Sequence, residues 1–319
     1  MSTIDRFDPQ LLALTDPAFG IRIDPECIGQ ARNTVMEFYK SSALPEAKPS
    51  KVIKIANSNG NGDISLRVFV PSQEVRTRPA ILEIHGGGFI IGEAAISDTQ
   101  NYLMAREHEA VVVSVDYRLA PECPFPGPLE DCYRALAWLF DNATELGINV
   151  DRVVLFGNSA GGGLAAALAQ LVRDRNELFV AAQFLIYPML DCRTGTHQDP
   201  YQNPYSGEFA WTRESNEFGW TSMRGSGLID ELHIGYFSPA MSKNLTNLPP
   251  TFIAVGTLDL FVDENIDYAA RLIRAGVHTE LHVYPGAPHG FDLISNTDVA
   301  NRFRNALSGA LKRVLNPSE

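Results

Sequence analysis

Val153-Val154-Leu155-Phe156-Gly157-Asn158-Ser159-Ala160-Gly161-Gly162-Gly163 decides how the rest of the chain is read. The first four residues are apolar and mostly β-branched or aromatic, which predicts a short buried strand. Leu164 to Val172 is mostly Ala and Leu, so a helix is expected there, apolar nearly all round and packed on several sides. Between the two lies Gly-x-Ser-x-Gly, the pattern that sets a serine on a strained strand-to-helix turn. The following helix directs its N-terminal N–H groups and positive dipole end at that serine. The pattern alone is short and recurs without chemistry, so the surrounding chain has to give it meaning.

On the N-terminal side, Ala80 to Ile84 and Val111 to Val115 are expected to be strands, with a helix from Ser97 to Glu109 and another from Leu129 to Phe140. On the C-terminal side, Gln183 to Tyr187, Thr251 to Val255 and Leu281 to Tyr284 are further strands. Helices are expected over Asp263 to Ala275, with Gly276 at C′, and along the apolar face Val299, Phe303, Leu307, Ala310 and Val314. Strands alternating with helices predict an α/β fold whose sheet is mostly parallel and covered on both faces. Lys51 to Ala56 and Ile64 to Val70 add an antiparallel pair at one edge, joined by a turn at Ser58-Asn59-Gly60-Asn61-Gly62-Asp63.

Two regions stand outside this alternation. Residues 1 to about 50 have no strand pattern, only short amphipathic helices at 11–14 and 35–39 broken by Pro17, Pro25 and Pro45. Asp191 to about Asn247 is rich in Gly, Pro, Ser and aromatics. Long insertions of this kind commonly serve as lids or binding loops. A cap over the strand ends is preferred to an insertion packed on the sheet edge. The division expected is a cap segment over 1–50 and a catalytic domain over 51–319, with the second cap insertion at about 191–247.

The chain has 319 residues and a net charge of −12, from 26 Lys and Arg against 38 Asp and Glu. Without basic runs, this argues against nucleic acid and anionic membranes as partners. No apolar stretch reaches the roughly 20 residues of a membrane span, and no signal-peptide pattern opens the chain, so a cytoplasmic location is expected. Cys27, Cys123, Cys132 and Cys192 lack metal-type spacing and are expected to be reduced. No metal or cofactor is called for.

His85-Gly86-Gly87-Gly88-Phe89 follows the strand that begins at Ala80. Three successive glycines carry an entropic cost, and beside a buried strand they can present bare N–H groups to a tetrahedral oxyanion. His85 is expected to orient that loop or to be packed. A serine nucleophile needs a base and the base an orienting carboxylate. Among His197, His233, His278, His282 and His289, the last lies in a rigid loop, Pro285 to Phe291, just beyond a strand. Asp259 and Asp263 both follow the strand that begins at Thr251. Asp259 is preferred, since an N-cap role would account for Asp263.

Together these residues resemble the hormone-sensitive-lipase family (bacterial family IV) of carboxylesterases, within the α/β-hydrolases. The resemblance rests on His85-Gly86-Gly87-Gly88-Phe89, on Asp116 to Glu122, on Pro124-Phe125-Pro126, on Gly157 to Gly162 and on His289-Gly290-Phe291, in the family's order over about residues 80 to 295. It implies an α/β-hydrolase fold, with about eight strands, helices on both faces and a helical cap formed by residues 1 to 50 and about 195 to 235. It implies Ser159 as nucleophile, His289 as base and Asp259 as acid, an oxyanion hole at Gly86, Gly87 and Ala160, and Glu122 as a structural partner beneath the glycine loop. Two positions depart from the pattern. Asn158 precedes the serine where Asp or Thr is usual, and no Pro follows Asp259.

The function expected is hydrolysis of short- to medium-chain acyl esters by a serine carboxylesterase acting on a small-molecule substrate, with a homodimer left open. An amidase, lactonase or deacetylase would use the same groups. A small-molecule receptor on this fold is the rival from another class, and retention of serine, histidine and aspartate argues against it. Phe209, Trp211, Phe218 and Trp220 are expected to fold over Ser159 and limit substrate size.

Overall fold

The structure, a computed structural model, describes residues 2–16, 23–57, 59, 60, 62–71 and 77–317. Pro17 and two members of the expected hairpin turn, Ser58 and Asn61, lie outside the described residues. Among these residues the strands are β1 (Lys51–Ala56), β2 (Asp63–Phe69), β3 (Arg78–Ile84), β4 (Val111–Asp116), β5 (Ile148–Asn158), β6 (Ala182–Ile186), β7 (Thr251–Gly256) and β8 (Thr279–Tyr284). They form one sheet of eight strands in the order β1-β2-β4-β3-β5-β6-β7-β8. β1–β2 and β2–β4 pair antiparallel, and every other pairing is parallel.

The helices are α1 (Ile28–Ser42), α2 (Asp98–Glu107), α3 (Gly127–Asp141), α4 (Ala143–Leu146), α5 (Ala160–Arg175), α6 (Arg213–Arg224), α7 (Ile234–Phe237), α8 (Val262–Arg274) and α9 (Asp298–Leu315). The continuous apolar runs of β3, β4 and β5 have a direct cause in the layering. Leu82, Val113 and Leu155 point into one core with α3, α5 and α8, whereas Ile81, Val112 and Val154 point into the other with α2 and α9. A strand buried on both faces has no position left for a polar alternation. Phe156, fully buried in the second core, alone accounts for roughly 1.5–3 kcal/mol of burial.

α5 begins at Ala160, four residues before the expected start at Leu164, and every residue from Ala160 to Val172 is buried. The glycines that read as a turn are helical because bulk is excluded there. A Cβ on Gly161 would stand 2.0 Å from the Ile84 carbonyl oxygen, and one on Gly163 2.2 Å from that of Met189. β5 begins at Ile148, five residues before the expected Val153, because half-exposed polar residues can extend a strand beyond the buried sheet.

Register brings the functional loops to one sheet edge. Ile84 pairs with Gly157, Asn158 with Ile186 and Gly256 with Tyr284. The chain therefore leaves β3, β5, β6, β7 and β8 on the same side, the carboxyl edge where open parallel sheets carry their ligands.

The N-terminal residues and the 191–247 insertion pack on each other above this edge. Thr3 donates from its N–H (2.6 Å) and hydroxyl (2.7 Å) to Glu208 Oε2. The Phe7 and Phe209 rings meet edge to face at 5.1 Å, and the Asp8 N–H donates to the Gly286 carbonyl in the loop that carries His289. No helix among the described residues is long and apolar enough to cross a membrane. Among the described residues none of the four cysteines is joined in a disulfide.

Candidate active site

Ser159 is the hinge between β5 and α5, at φ 55° and ψ −120°. A non-glycine residue here carries about 1–3 kcal/mol of backbone strain, so its surroundings must hold it. Its N–H donates to the Ile186 carbonyl at 2.8 Å, and its own carbonyl accepts from Gly163 and Met189, each at 3.0 Å. Three neighbouring elements thus fix the turn and leave Oγ at the strand edge.

His289 follows β8 on a short loop. Its Nε2 stands 2.9 Å from Ser159 Oγ and its Nδ1 2.8 Å from Asp259 Oδ2. Asp259 is fully buried, and its Oδ1 accepts from the Phe261 N–H at 2.9 Å. A carboxylate only accepts, so Nδ1 carries the proton and Nε2 is free to accept from the serine hydroxyl. The imidazole is held by rings as well as by hydrogen bonds. Tyr187 meets it edge-on at 4.7 Å and Phe261 perpendicular at 5.2 Å.

Asp263 lies elsewhere. It is not the N-cap of α8, as expected, but lies in the first turn, where it accepts from Asn203 Nδ2 at 2.7 Å. The helix begins at Val262, and Asp259, by accepting from Phe261, takes up a backbone donor just ahead of it.

Gly86 and Gly87 line one cavity with Ser159, and Ala160 is the first residue of α5, where helical N–H groups have no partner within the helix. Gly87 has φ +119°, and a Cβ there would meet the Ile91 carbonyl oxygen at 2.0 Å. His85 beneath them is buried and stacked on Tyr117 at 4.2 Å, with Nδ1 2.8 Å from the Gly86 carbonyl. Burial pushes its pKa down. A neutral imidazole donating to Gly86 orients the loop, one of the two roles expected for it.

Glu122 does not lie beneath the glycine loop. Its side chain is 64% exposed and pairs with Arg32 of α1 at 2.7 Å. Arg32 reaches the loop in its place, donating from Nε to the Ile90 carbonyl at 2.8 Å. The buried acid near the loop is Glu83, which sequence reading missed although it interrupts the apolar run of β3. It accepts from Ser97 Oγ at 2.8 Å, from Asn101 Nδ2 at 3.2 Å and from Ser114 Oγ. Burial raises its pKa.

The cavity at Ser159 measures about 220 Å³. Trp211 lines it, but Phe209, Phe218 and Trp220 do not. Phe209 packs on Phe7, Trp220 on Phe89 and Phe237, and Phe218 against the core beneath. For Phe218 and Trp220 the cause is the helical period of burial along α6, which turns one face of the helix to the protein. The walls that sequence reading missed include Val35 and Tyr39 of α1, Ile91, Ile96 and Leu293. Their spacing along the chain gives no local signal of convergence. Polar walls come from Asn158 and Gln100, bonded at 3.2 Å, and from Asp292. Among the described residues no group of three or more His, Cys, Asp or Glu could hold a metal ion.

Comparison with known proteins agrees with this fold. A family model described as the alpha/beta hydrolase fold matches residues 81–293. The chain is 32% identical to the esterase LipI of Mycobacterium tuberculosis over 291 residues, covering 89% of this chain and 87% of that one. It is 33% identical to an arylesterase of Saccharolobus solfataricus over 236 residues, 71% of this chain and 74% of that one. Among solved structures, a bacterial heroin esterase superposes with a TM-score of 0.90 at 34% identity, over 98% of this chain and 99% of that one. The chain belongs to the alpha/beta hydrolase fold family.

Proposed function

We propose that the protein is a serine carboxylesterase that cleaves esters of short- to medium-chain acids through an acyl-enzyme. The observation that carries this reading is the unbroken contact from Ser159 Oγ through His289 to Asp259, at 2.9 and 2.8 Å. Esterase names among relatives of nearly full coverage support the reaction class.

Ser159 Oγ attacks the ester carbonyl carbon as its proton passes to His289 Nε2. The carbonyl electrons move onto oxygen, and the N–H groups of Gly86, Gly87 and Ala160 stabilise that charge, which exists only after attack. Collapse breaks the ester bond, and the departing alkoxide takes the proton from Nε2. Water then gives a proton to Nε2 and attacks the acyl carbon, and Ser159 recovers its proton as the acid leaves. Asp259 keeps Nδ1 protonated and stabilises the imidazolium between these transfers. The N-terminal segment and the 191–247 insertion act as a cap, closing the acyl site to a size set by the 220 Å³ cavity.

Steady-state kinetics on p-nitrophenyl acetate test the assignment. Ser159→Ala and His289→Ala are expected to lower kcat/KM by about ten-thousandfold or more, with folding intact by circular dichroism. Asp259→Asn should cost heavily and Asp263→Asn little. Reversal of the two aspartate results would overturn the choice of acid.

A further inference from the structure

One acidic side chain in the Ser159 cavity has no part in the chemistry above. Asp292 follows His289 by three residues, in the turn Phe291–Leu293, and lines the cavity with Ser159, Tyr39, Tyr187 and Trp211. Its Oδ1 accepts from the Tyr187 hydroxyl at 2.9 Å. Among the described residues, no Lys or Arg lines this cavity, and no ion pair to Asp292 is formed. His289 and, after it, Arg304 favour the charge, but His289 is bonded to Ser159 and Asp259, and the Arg304 guanidinium bonds to the Ser295 carbonyl and Asn301 Oδ1.

We infer that Asp292 makes this cavity selective for esters that carry a cationic nitrogen. The inference rests on the reading of Ser159 as the nucleophile. A carboxylate removed from water is held at a cost unless a charge or several donors meet it. Here the Tyr187 phenol and one backbone N–H meet it, and burial still outweighs them and favours its protonated form. An ammonium group entering the cavity would offset that cost directly. The aromatic walls suit the same ligand, because Tyr and Trp rings attract cations by their negative faces. Burial pushes Tyr39 up to about 12 and Tyr187 well above its ordinary value, so both phenols stay neutral and add no competing charge. Asp259 lies behind His289 and is fully buried, leaving Asp292 to meet the substrate. An ester with a free carboxylate meets repulsion in the same place, and the chain's net charge of −12 acts in the same direction at longer range.

Acetylcholine and 3,3-dimethylbutyl acetate share shape and acyl group and differ in charge, so their kcat/KM ratio reads this contact. The wild type is expected to favour acetylcholine by on the order of tenfold, and Asp292→Asn to bring the ratio near one. If Asp292 acted only by stabilising the His289 imidazolium, both esters would slow together and the ratio would persist in the variant, which overturns the inference. A wild-type ratio at or below one overturns it without any variant, so the test survives a failure of Asp292→Asn to fold. Inhibition supplies a second reading on the wild type. Tetramethylammonium should compete with p-nitrophenyl acetate more strongly than tert-butanol does, and equal or weaker competition contradicts the proposal. Turnover of p-nitrophenyl acetate separates the two levels. Its presence with a ratio at or below one rejects the cation site alone, and its absence rejects the esterase reading and the cation site with it.

Discussion

Glu83 is a buried acid near the site that does not line the Ser159 cavity. It lies in β3 two residues before His85, fully buried, and three side-chain donors converge on it. Asn101 Oδ1 beside it is buried without a partner. Amide orientation is an assignment, and the reversed amide would accept from a protonated Glu83. Burial raises the Glu83 pKa, which fixes the sign of its pH dependence. An acid whose folded pKa exceeds its unfolded one contributes stability below the unfolded value and loses it as pH rises through the folded value. Glu83→Gln, neutral at every pH, should therefore gain in Tm relative to wild type as pH rises from 5 to 9. A difference independent of pH would mean that the group is not neutral in the folded protein. Ser159, His289 and Asp259 were legible as candidates because each sits in a short motif after a strand. Glu83 and Asp292 were not, because their roles come from what surrounds them in space.

At the scale of elements, periodicity and turn residues located the eight strands of the described residues and helices α2, α3, α5, α8 and α9, but not α4, α6 or α7. Boundaries moved where backbone contact overrode propensity, as when three glycines began α5 instead of ending a turn. The insertion was recognisable as an insertion, but not which of its aromatics faces Ser159. Trp211 does, held by its Nε1 hydrogen bond to Asn216 Oδ1 at 3.1 Å and lying against Gly88, where an added Cβ would be 2.2 Å from the ring. Trp211→Ala should therefore widen the cavity and raise kcat/KM for p-nitrophenyl octanoate relative to the acetate, by roughly fourfold for each methylene newly accommodated, near 0.8 kcal/mol each. Phe218→Ala should leave the profile's shape in place and lower Tm instead. The acyl-chain series measured on both variants checks this, and a shift caused by Phe218→Ala alone would place the size limit elsewhere.

Across the whole molecule, the sheet's register and the packing of the N-terminal residues on the 191–247 insertion serve one arrangement. Six parallel strands end at a common edge, and the loops beyond them bring Ser159, Asp259, His289 and the glycines at 86 and 87 together from positions more than 200 residues apart in the chain. The acidic charge and the α/β alternation were legible in composition and pattern. Apart from Trp211, the cavity's walls were not, because Tyr39, Gln100, Tyr187 and Asp292 come from separate segments that only the tertiary fold brings together. The central claim is that this arrangement activates Ser159 as a nucleophile. Intact mass spectrometry after treatment with a fluorophosphonate measures it most directly. One phosphonyl group per chain, mapped to Ser159, slow to form in His289→Ala and absent in Ser159→Ala, is the predicted result. A wild-type chain that stays unlabelled, or a Ser159→Ala variant that labels equally, would contradict it.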